Sequence, residues 1–358
     1  MDLKQKSIEI IKKNQDRNGA YVASPNFETY NFCWLRDGGF ISYAMDLVGE
    51  YSSVERFFEW VDETIVRYRH QIDALIKKKG NGEIIEQSDY LPARYLLNGL
   101  MANDDWTNFQ LDGYGTWLWA LTEHIKMTGR TRLIDKFSVS INSTVSYLLN
   151  FWDTPNYDCW EEFGAQIHTS TLACIYGGLK SINEYLMDHE ISECLEQVYK
   201  FINEQCVING RLSKFVGRWN TDASLLWACL PFGLFEVDDE IIKNTVKDIE
   251  DKLLHRGGVH RYPEDTYYGG GEWLLLSCWL GWYYSATGRN KEAFQIKKWV
   301  ENQADEEGNL PEQVTFHPLK QSAYPKWVKR WGEVAKPLLW SHAMYLVLLR
   351  EFEERGFH

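Results

Sequence analysis

The strongest constraint in the chain is an alternation of two kinds of helical segment. Periodicity predicts twelve helices, at 3–15, 37–49, 52–78, 111–129, 130–151, 167–187, 189–206, 221–230, 237–254, 272–287, 289–304 and 339–354. The even-numbered ones are apolar nearly all round, as in Phe40-Ile41-Ser42-Tyr43-Ala44-Met45, Trp117-Leu118-Trp119-Ala120-Leu121 and Leu225-Leu226-Trp227-Ala228-Cys229. The odd-numbered ones carry a single stripe. In 189–206, Ile191, Cys194, Leu195, Val198, Phe201 and Ile202 fall on one face. A helix that is apolar on every side has to be covered on every side, whereas a striped helix lies at the surface. Strict alternation therefore predicts six inner helices wrapped by six outer ones. The expected fold is an all-α (α/α)6 barrel, a single domain over 1–358, with little strand.

Loop lengths give this barrel a functional end. Connections after the even segments are mostly short: Gly49–Tyr51, Gly129-Arg130, Asp188 and Gly288. Those after the odd segments are mostly long: 16–36, 79–110, 152–166, 207–220, 255–271 and 305–338. Alternate connections of an up-down barrel leave from opposite ends, so the long loops gather at one end, where a rigid scaffold usually carries its function.

Charge and composition exclude several classes. A formal net charge of −13 argues against nucleic acid and against acidic membrane surfaces, which both need a basic face. No apolar stretch is long enough to span a membrane. The start, Met1-Asp2-Leu3-Lys4-Gln5-Lys6, lacks the apolar core of a signal peptide. The seven scattered cysteines form no CxxC pair, which predicts reduced thiols, a cytoplasmic location and no zinc site. No HExxH spacing occurs among the nine histidines, so neither metal nor cofactor is expected. The 16 Trp and 20 Tyr offer many ring faces of the kind sugars stack on. These readings fit an enzyme acting on a neutral small molecule.

The long loops carry the chemistry. Cys159-Trp160-Glu161-Glu162-Phe163-Gly164 puts two acids beside an indole, and a carboxyl held against an indole face is desolvated and keeps its proton near neutral pH. An exposed acidic first turn of a helix is the plainer reading of the same residues. Tyr30-Asn31-Phe32-Cys33-Trp34-Leu35-Arg36-Asp37 opens the second helix. Asp37 is placed there to cap that helix, or, with Trp34 and Arg36, to hold a sugar. The fifth loop supplies Arg261 and three glycines, Gly269–Gly271, that permit unusual backbone angles but form no P-loop. The sixth supplies Glu312 in an apolar frame, Leu310-Pro311-Glu312-Gln313-Val314, and then Trp340. Asp222 reads as a helix start, His168 and His342 as partners of loop backbone, and Trp119 and Trp279 as core.

In this order the motifs resemble glycoside hydrolase family 15, the glucoamylase family. They are Trp34-x-Arg36-Asp37, Trp160-Glu161-Glu162, Arg261-Tyr262-Pro263-Glu264-Asp265-Thr266-Tyr267-Tyr268-Gly269, Glu312-Gln313 and Leu339-Trp340-Ser341. The resemblance runs from about residue 15 to 350, and it implies the same barrel. It implies that Glu161 is a general acid protonating the glycosidic oxygen and Glu312 a general base activating water on the opposite face. Inverting enzymes hold such a pair about 6.5–9.5 Å apart. It further implies that Arg36, Asp37 and Arg261 hold the terminal glucose and that Glu162 faces the next sugar. Tyr30 would sit beside the catalytic water, Trp340 would form a wall of the pocket, and Trp34 and Trp160 would line it. The chain reads as the barrel alone, without the β-sandwich or starch-binding modules of other members. Cys159 departs from the apolar residue common before the Trp, and Trp106 is the one candidate for the family's lid tryptophan. The implied function is an inverting exo-α-glucosidase acting on short α-1,6 or α-1,4 glucosides. Alternatives are a trehalase of the same family, a polysaccharide lyase on a similar barrel, and a non-catalytic sugar-binding protein.

Overall fold

A computed structural model of the chain describes residues 2–104, 106, 109–217 and 220–354. Its helices are α1 (Leu3–Lys13), α2 (Leu35–Leu47), α3 (Tyr51–Gly80), α4 (Asp112–Thr128), α5 (Arg132–Lys136), α6 (Ser138–Phe151), α7 (Thr169–Leu186), α8 (His189–Gln205), α9 (Glu240–Leu253), α10 (Leu274–Ala286), α11 (Asn290–Glu301), α12 (Tyr324–Trp331) and α13 (Leu339–Glu354). The all-round apolar segments close into a ring. α2 packs on α4, α4 on α7, α7 on a 3-10 helix at Ala223–Ala228, that helix on α10, α10 on α13, and α13 back on α2. The striped segments wrap it: α1 lies on α13, α3 on α2, α6 on α4, α8 on α7, α9 on the 3-10 helix and α11 on α10. This is the (α/α)6 barrel.

Burial follows the two patterns. Every residue of α10 from Leu274 to Ser285 is buried, whereas α11 buries only Ala293, Ile296 and Val300, one face of a helix. The barrel axis is filled by Phe40 of α2. Its ring meets Trp119 of α4, Trp227 of the 3-10 helix, Trp279 of α10 and Trp340 of α13 at centroid distances of 5.7, 5.6, 4.8 and 5.5 Å. Four inner helices are thereby keyed to one side chain, and Trp119 and Trp279 are core as expected. α4 and α7 approach so closely that a Cβ on Gly178 would overlap the Gly115 carbonyl oxygen, so only glycine fits there.

The structure differs from the sequence expectation in four places. The helix at 130–151 is two, because the chain turns at Phe137 between α5 and α6. The segment at 221–230 forms only the 3-10 helix, which ends ahead of Pro231, a residue with no N–H to continue it. α12 folds within the sixth long loop, where no helix is expected. α2 starts at Leu35, so Trp34 is its N-cap and Asp37 lies inside the first turn without capping it. Strand content is small: a four-stranded antiparallel sheet of two-residue strands (Leu254–His255, Gly258–Val259, Glu272–Trp273, Gln313–Val314) stands at the long-loop end with two smaller pairs.

Candidate active site

The long loops enclose a cavity of about 350 Å3, lined, among the described residues, by side chains from the first, second, third, fifth and sixth of them. All ten residues expected from the sequence to act in catalysis or substrate binding line it. The first loop gives Tyr30, Trp34, Arg36 and Asp37, and the third gives Trp160, Glu161 and Glu162. The fifth gives Arg261, and the sixth gives Glu312 and, at the start of α13, Trp340.

Glu161 is held by an unusual stretch of backbone. Its φ is +65°, a left-handed conformation that costs a side-chain-bearing residue roughly 1–3 kcal/mol. Asp158 supports the turn from below. Its Oδ1 accepts the backbone N–H of Trp160 at 3.0 Å and of Glu162 at 2.9 Å, on either side of Glu161, and its carbonyl accepts the N–H of Glu161 itself at 2.8 Å. Lys214, from the fourth loop, lies 3.0 Å from Asp158 and 2.7 Å from Asp222, all three buried. Asp222 caps the 3-10 helix through Ser224 N–H, as a helix start should, and also accepts the Trp160 indole N–H at 3.0 Å. The acid's loop is therefore fixed from beneath by a buried Asp–Lys–Asp line.

The Glu161 carboxyl points into the cavity, and its Oε1 accepts the Trp34 indole N–H at 2.6 Å. Burial pushes it up to about 7, against the pull of Arg36, Arg94 and that indole. Arg94 packs against Trp34, with its guanidinium carbon 5.3 Å from the indole centroid, and no motif marks it.

Glu312 sits at the start of the strand Gln313–Val314, tied by its N–H to the Ala335 carbonyl at 2.9 Å. Its Oε1 accepts the Tyr30 hydroxyl at 2.9 Å, and that hydroxyl also lies 2.8 Å from the Tyr267 hydroxyl. Its Oε2 is buried with no hydrogen-bond partner among the described residues. Burial pushes Glu312 up to about 8, against the Tyr30 hydrogen bond and the charge of Arg261.

Two arginines form the polar walls. Arg36 donates to Gln110 Oε1 at 2.8 Å and Asp112 Oδ2 at 3.0 Å, pairs with Asp37 at 3.3 Å and packs over Trp340. Burial pushes Asp37 up to about 6, with Arg36 opposing it. Arg261 is locked by a two-pronged contact with Asp265, Nε to Oδ2 at 2.7 Å and Nη2 to Oδ1 at 2.5 Å, a geometry only the planar fork allows. It reaches Glu162 at 3.5 Å, and the Tyr262 hydroxyl donates to the other oxygen of Glu162. Gly269 and Gly270 take φ of +83° and +69°, the freedom expected of the glycine run.

Part of the aromatic wall is not marked by the motifs. Tyr267 and Trp273 line the cavity from the fifth loop, and α12 adds Trp327, Arg330 and Trp331. Trp106 also lines it and meets Trp331 at 5.7 Å, joining the second loop to the sixth. His168 contacts the Phe163 carbonyl at 3.2 Å, and His342 Nε2 accepts the Leu310 N–H at 3.0 Å. Both serve loop backbone, and burial holds His342 neutral by pushing it down to about 3.

A barrel of this kind, with a buried and a half-buried carboxyl at one cavity among arginines and indoles, defines a class, and the chain belongs to the glycosyl hydrolases family 15, whose model matches residues 2–350. It is a glycoside hydrolase. Among its relatives, the isomaltose glucohydrolase of Kribbella flavida is 38% identical over 357 residues, covering 98% of this chain and 92% of that protein. A glycosidase variant solved in complex with glucose matches with a TM-score of 0.95 at 38% identity, over 98% of this chain and 96% of the other. A bacterial glucoamylase complexed with acarbose shares the fold at a TM-score of 0.76 and 20% identity, over 98% of this chain and 55% of that one. Among the described residues, no helix is long and apolar enough to cross a membrane.

Proposed function

We propose that the protein is an inverting, exo-acting α-glucosidase. It removes β-D-glucose from the non-reducing ends of short α-glucosides, with isomaltose and other α-1,6-linked substrates ahead of α-1,4-linked ones. Similarity to an isomaltose glucohydrolase supports this order of linkages. The cavity volume of about 350 Å3, near the lower end of the about 300–1,000 Å3 of ligand pockets, supports short substrates. Seven free, buried cysteines support a cytoplasmic setting.

The observation that carries the reading is the asymmetry of the two acids. Glu161, held by the Trp34 indole N–H, gives its proton to the glycosidic oxygen. Glu312, held by the Tyr30 hydroxyl on one oxygen and without a partner among the described residues on the other, takes a proton from water once it has ionised, the minor form at neutral pH given its raised value of about 8. As the C1–O bond breaks, Glu161 protonates the departing sugar. The water oxygen bonds to C1 from the far side while Glu312 takes its proton. The anomeric centre inverts, and the second water proton stays on the new hydroxyl. Arg36, Asp37 and Arg261 grip the hydroxyls of the terminal glucose, and Trp34, Trp160 and Trp340 border its ring. Glu162 faces the next sugar.

Initial rates on isomaltose, maltose, trehalose and isomaltotriose test the proposal. The expected order is isomaltose above maltose, with glucose as the first product of isomaltotriose and trehalose uncleaved. Cleavage of trehalose alone, or release of isomaltose as an intact unit ahead of free glucose, would overturn it.

A further inference from the structure

The sheet beside the cavity carries a second cluster that the reaction does not use. Successive side chains of a strand point to opposite faces, so Trp273 lines the cavity while its neighbour Glu272 turns away from it. Behind the sheet, Glu272 Oε1 lies 2.8 Å from His255 Nδ1, and the rings of His255 and His317 meet at 4.3 Å between centroids. One carboxylate oxygen and one nitrogen from each histidine lie within 4.8 Å of one another. The Glu272 side chain is only 2% exposed, that of His255 is 38% exposed, and His317 is open to solvent. A buried carboxylate thus faces two imidazoles that an ion can reach from outside.

We infer that His255, Glu272 and His317 form a site for a divalent transition-metal ion, Zn2+ by the nature of the donors. Two imidazole nitrogens and a carboxylate oxygen are a zinc donor set, and water completes the tetrahedron. Bonds of about 2.0–2.2 Å place ligand atoms about 3.3–3.5 Å apart. The atoms already lie within 4.8 Å of one another, so His317 closes by at most about 1.5 Å, which an exposed side chain beyond the end of a strand can do. The buried carboxylate exchanges its histidine hydrogen bond for a stronger contact with a full charge.

The ion's place in the fold gives it a structural task. His255 lies on the first strand of the sheet and Glu272 on the third, while His317 follows the fourth, whose preceding residue is Glu312. The second strand, Gly258–Val259, leads into Arg261. An ion here ties together the segments that present Arg261, Trp273 and Glu312 to the cavity, without touching substrate. The three ligands come from separate segments with no regular spacing, so no ligand motif is visible in the sequence.

The test uses the full chain, dialysed against a chelator and then titrated with Zn2+ alone, by calorimetry and by thermal unfolding. The expected result is saturable uptake of one ion per chain and a raised Tm. His317→Ala, a change at an exposed position, weakens uptake by at least about tenfold, the smallest loss seen on removing even an outer-shell partner. Glu272→Gln, which keeps the shape and removes the charge, does the same. The proposal is overturned if the wild-type chain takes up no Zn2+ saturably. It is equally overturned if His317→Ala binds with the same stoichiometry and affinity, because uptake then lies elsewhere.

Discussion

Tyr30 and Trp34 meet edge to face with ring centroids 5.6 Å apart, and each donates to a different carboxyl across the cavity. The Tyr30 hydroxyl holds Glu312 at 2.9 Å and the Trp34 indole N–H holds Glu161 at 2.6 Å. One short stretch of the first long loop therefore holds both acids, although they come from loops 151 residues apart in sequence (161 to 312). A shift of this loop would move both groups together.

Tyr30→Phe keeps the ring pair and deletes the donor to Glu312. We expect kcat on isomaltose to fall about 10–100-fold, as for the loss of one charge-assisted hydrogen bond of about 1.5–3 kcal/mol, with KM little changed. The lost bond favoured the ionised carboxylate, so Glu312 is raised further and the optimum of the kcat/KM profile moves to higher pH. Steady-state kinetics across pH check both effects. An unchanged optimum would detach Tyr30 from Glu312.

Glu161→Gln removes the proton donor. Activity on isomaltose is expected to drop by about 100–10,000-fold, the usual worth of general acid catalysis. Activity on an α-glucosyl fluoride, whose leaving group needs no proton, falls far less. Equal losses on both would remove Glu161 from the acid role.

Burial pushes Glu161 up to about 7 and Glu312 up to about 8. The proposed mechanism needs a proton on Glu161 and none on Glu312. Thus kcat/KM rises with pH as Glu312 ionises and falls as Glu161 loses its proton, with a maximum between about 7 and 8. The two limbs belong to the pair and not to either residue alone. Carboxyls at the ordinary value of about 4.3 would put the optimum in the acid range, and an optimum there contradicts the desolvated site.

Lys214→Met tests the support beneath the acid. Against burial, which alone would raise it, the Lys214 ammonium holds Asp158 below its ordinary value. Removing that charge leaves Asp158 and Asp222 buried without their cation, a loss of about 3–5 kcal/mol when one partner of a buried pair is deleted. A depressed carboxyl stabilises the fold above its unfolded pKa, and that contribution is lost as pH falls through the folded value. In the variant, therefore, the Tm deficit is large at pH 7 and shrinks on acidification. A deficit independent of pH would show that Lys214 matters only through packing.

The barrel was legible because burial writes itself into periodicity: Ile191, Cys194, Val198 and Ile202 are the buried stripe of α8, and the all-apolar run from Leu274 is buried throughout. Ten of the lining residues were legible through short motifs, but the side chains that position them were not. Lys214 stands alone in its loop and acts only through partners 56 positions before it and 8 after it (Asp158 and Asp222), a relation no window reveals. α12 did leave a signal: Tyr324, Trp327, Val328 and Trp331 recur at helical spacing, with Pro325 at the start where its missing N–H does no harm. It was hidden by lying inside a segment already read as loop. Asp37 looked like a cap because the helix start was placed two residues late (37 against Leu35).

The central claim is inversion by Glu161 and Glu312, and proton NMR of the first turnovers on isomaltose tests it most directly. The account predicts that the β-anomer of the non-reducing glucose appears first and that the α-anomer grows only as fast as mutarotation allows. If the α-anomer appears first, the bond is broken with retention, and the assignment of Glu312 as the base that activates water is wrong.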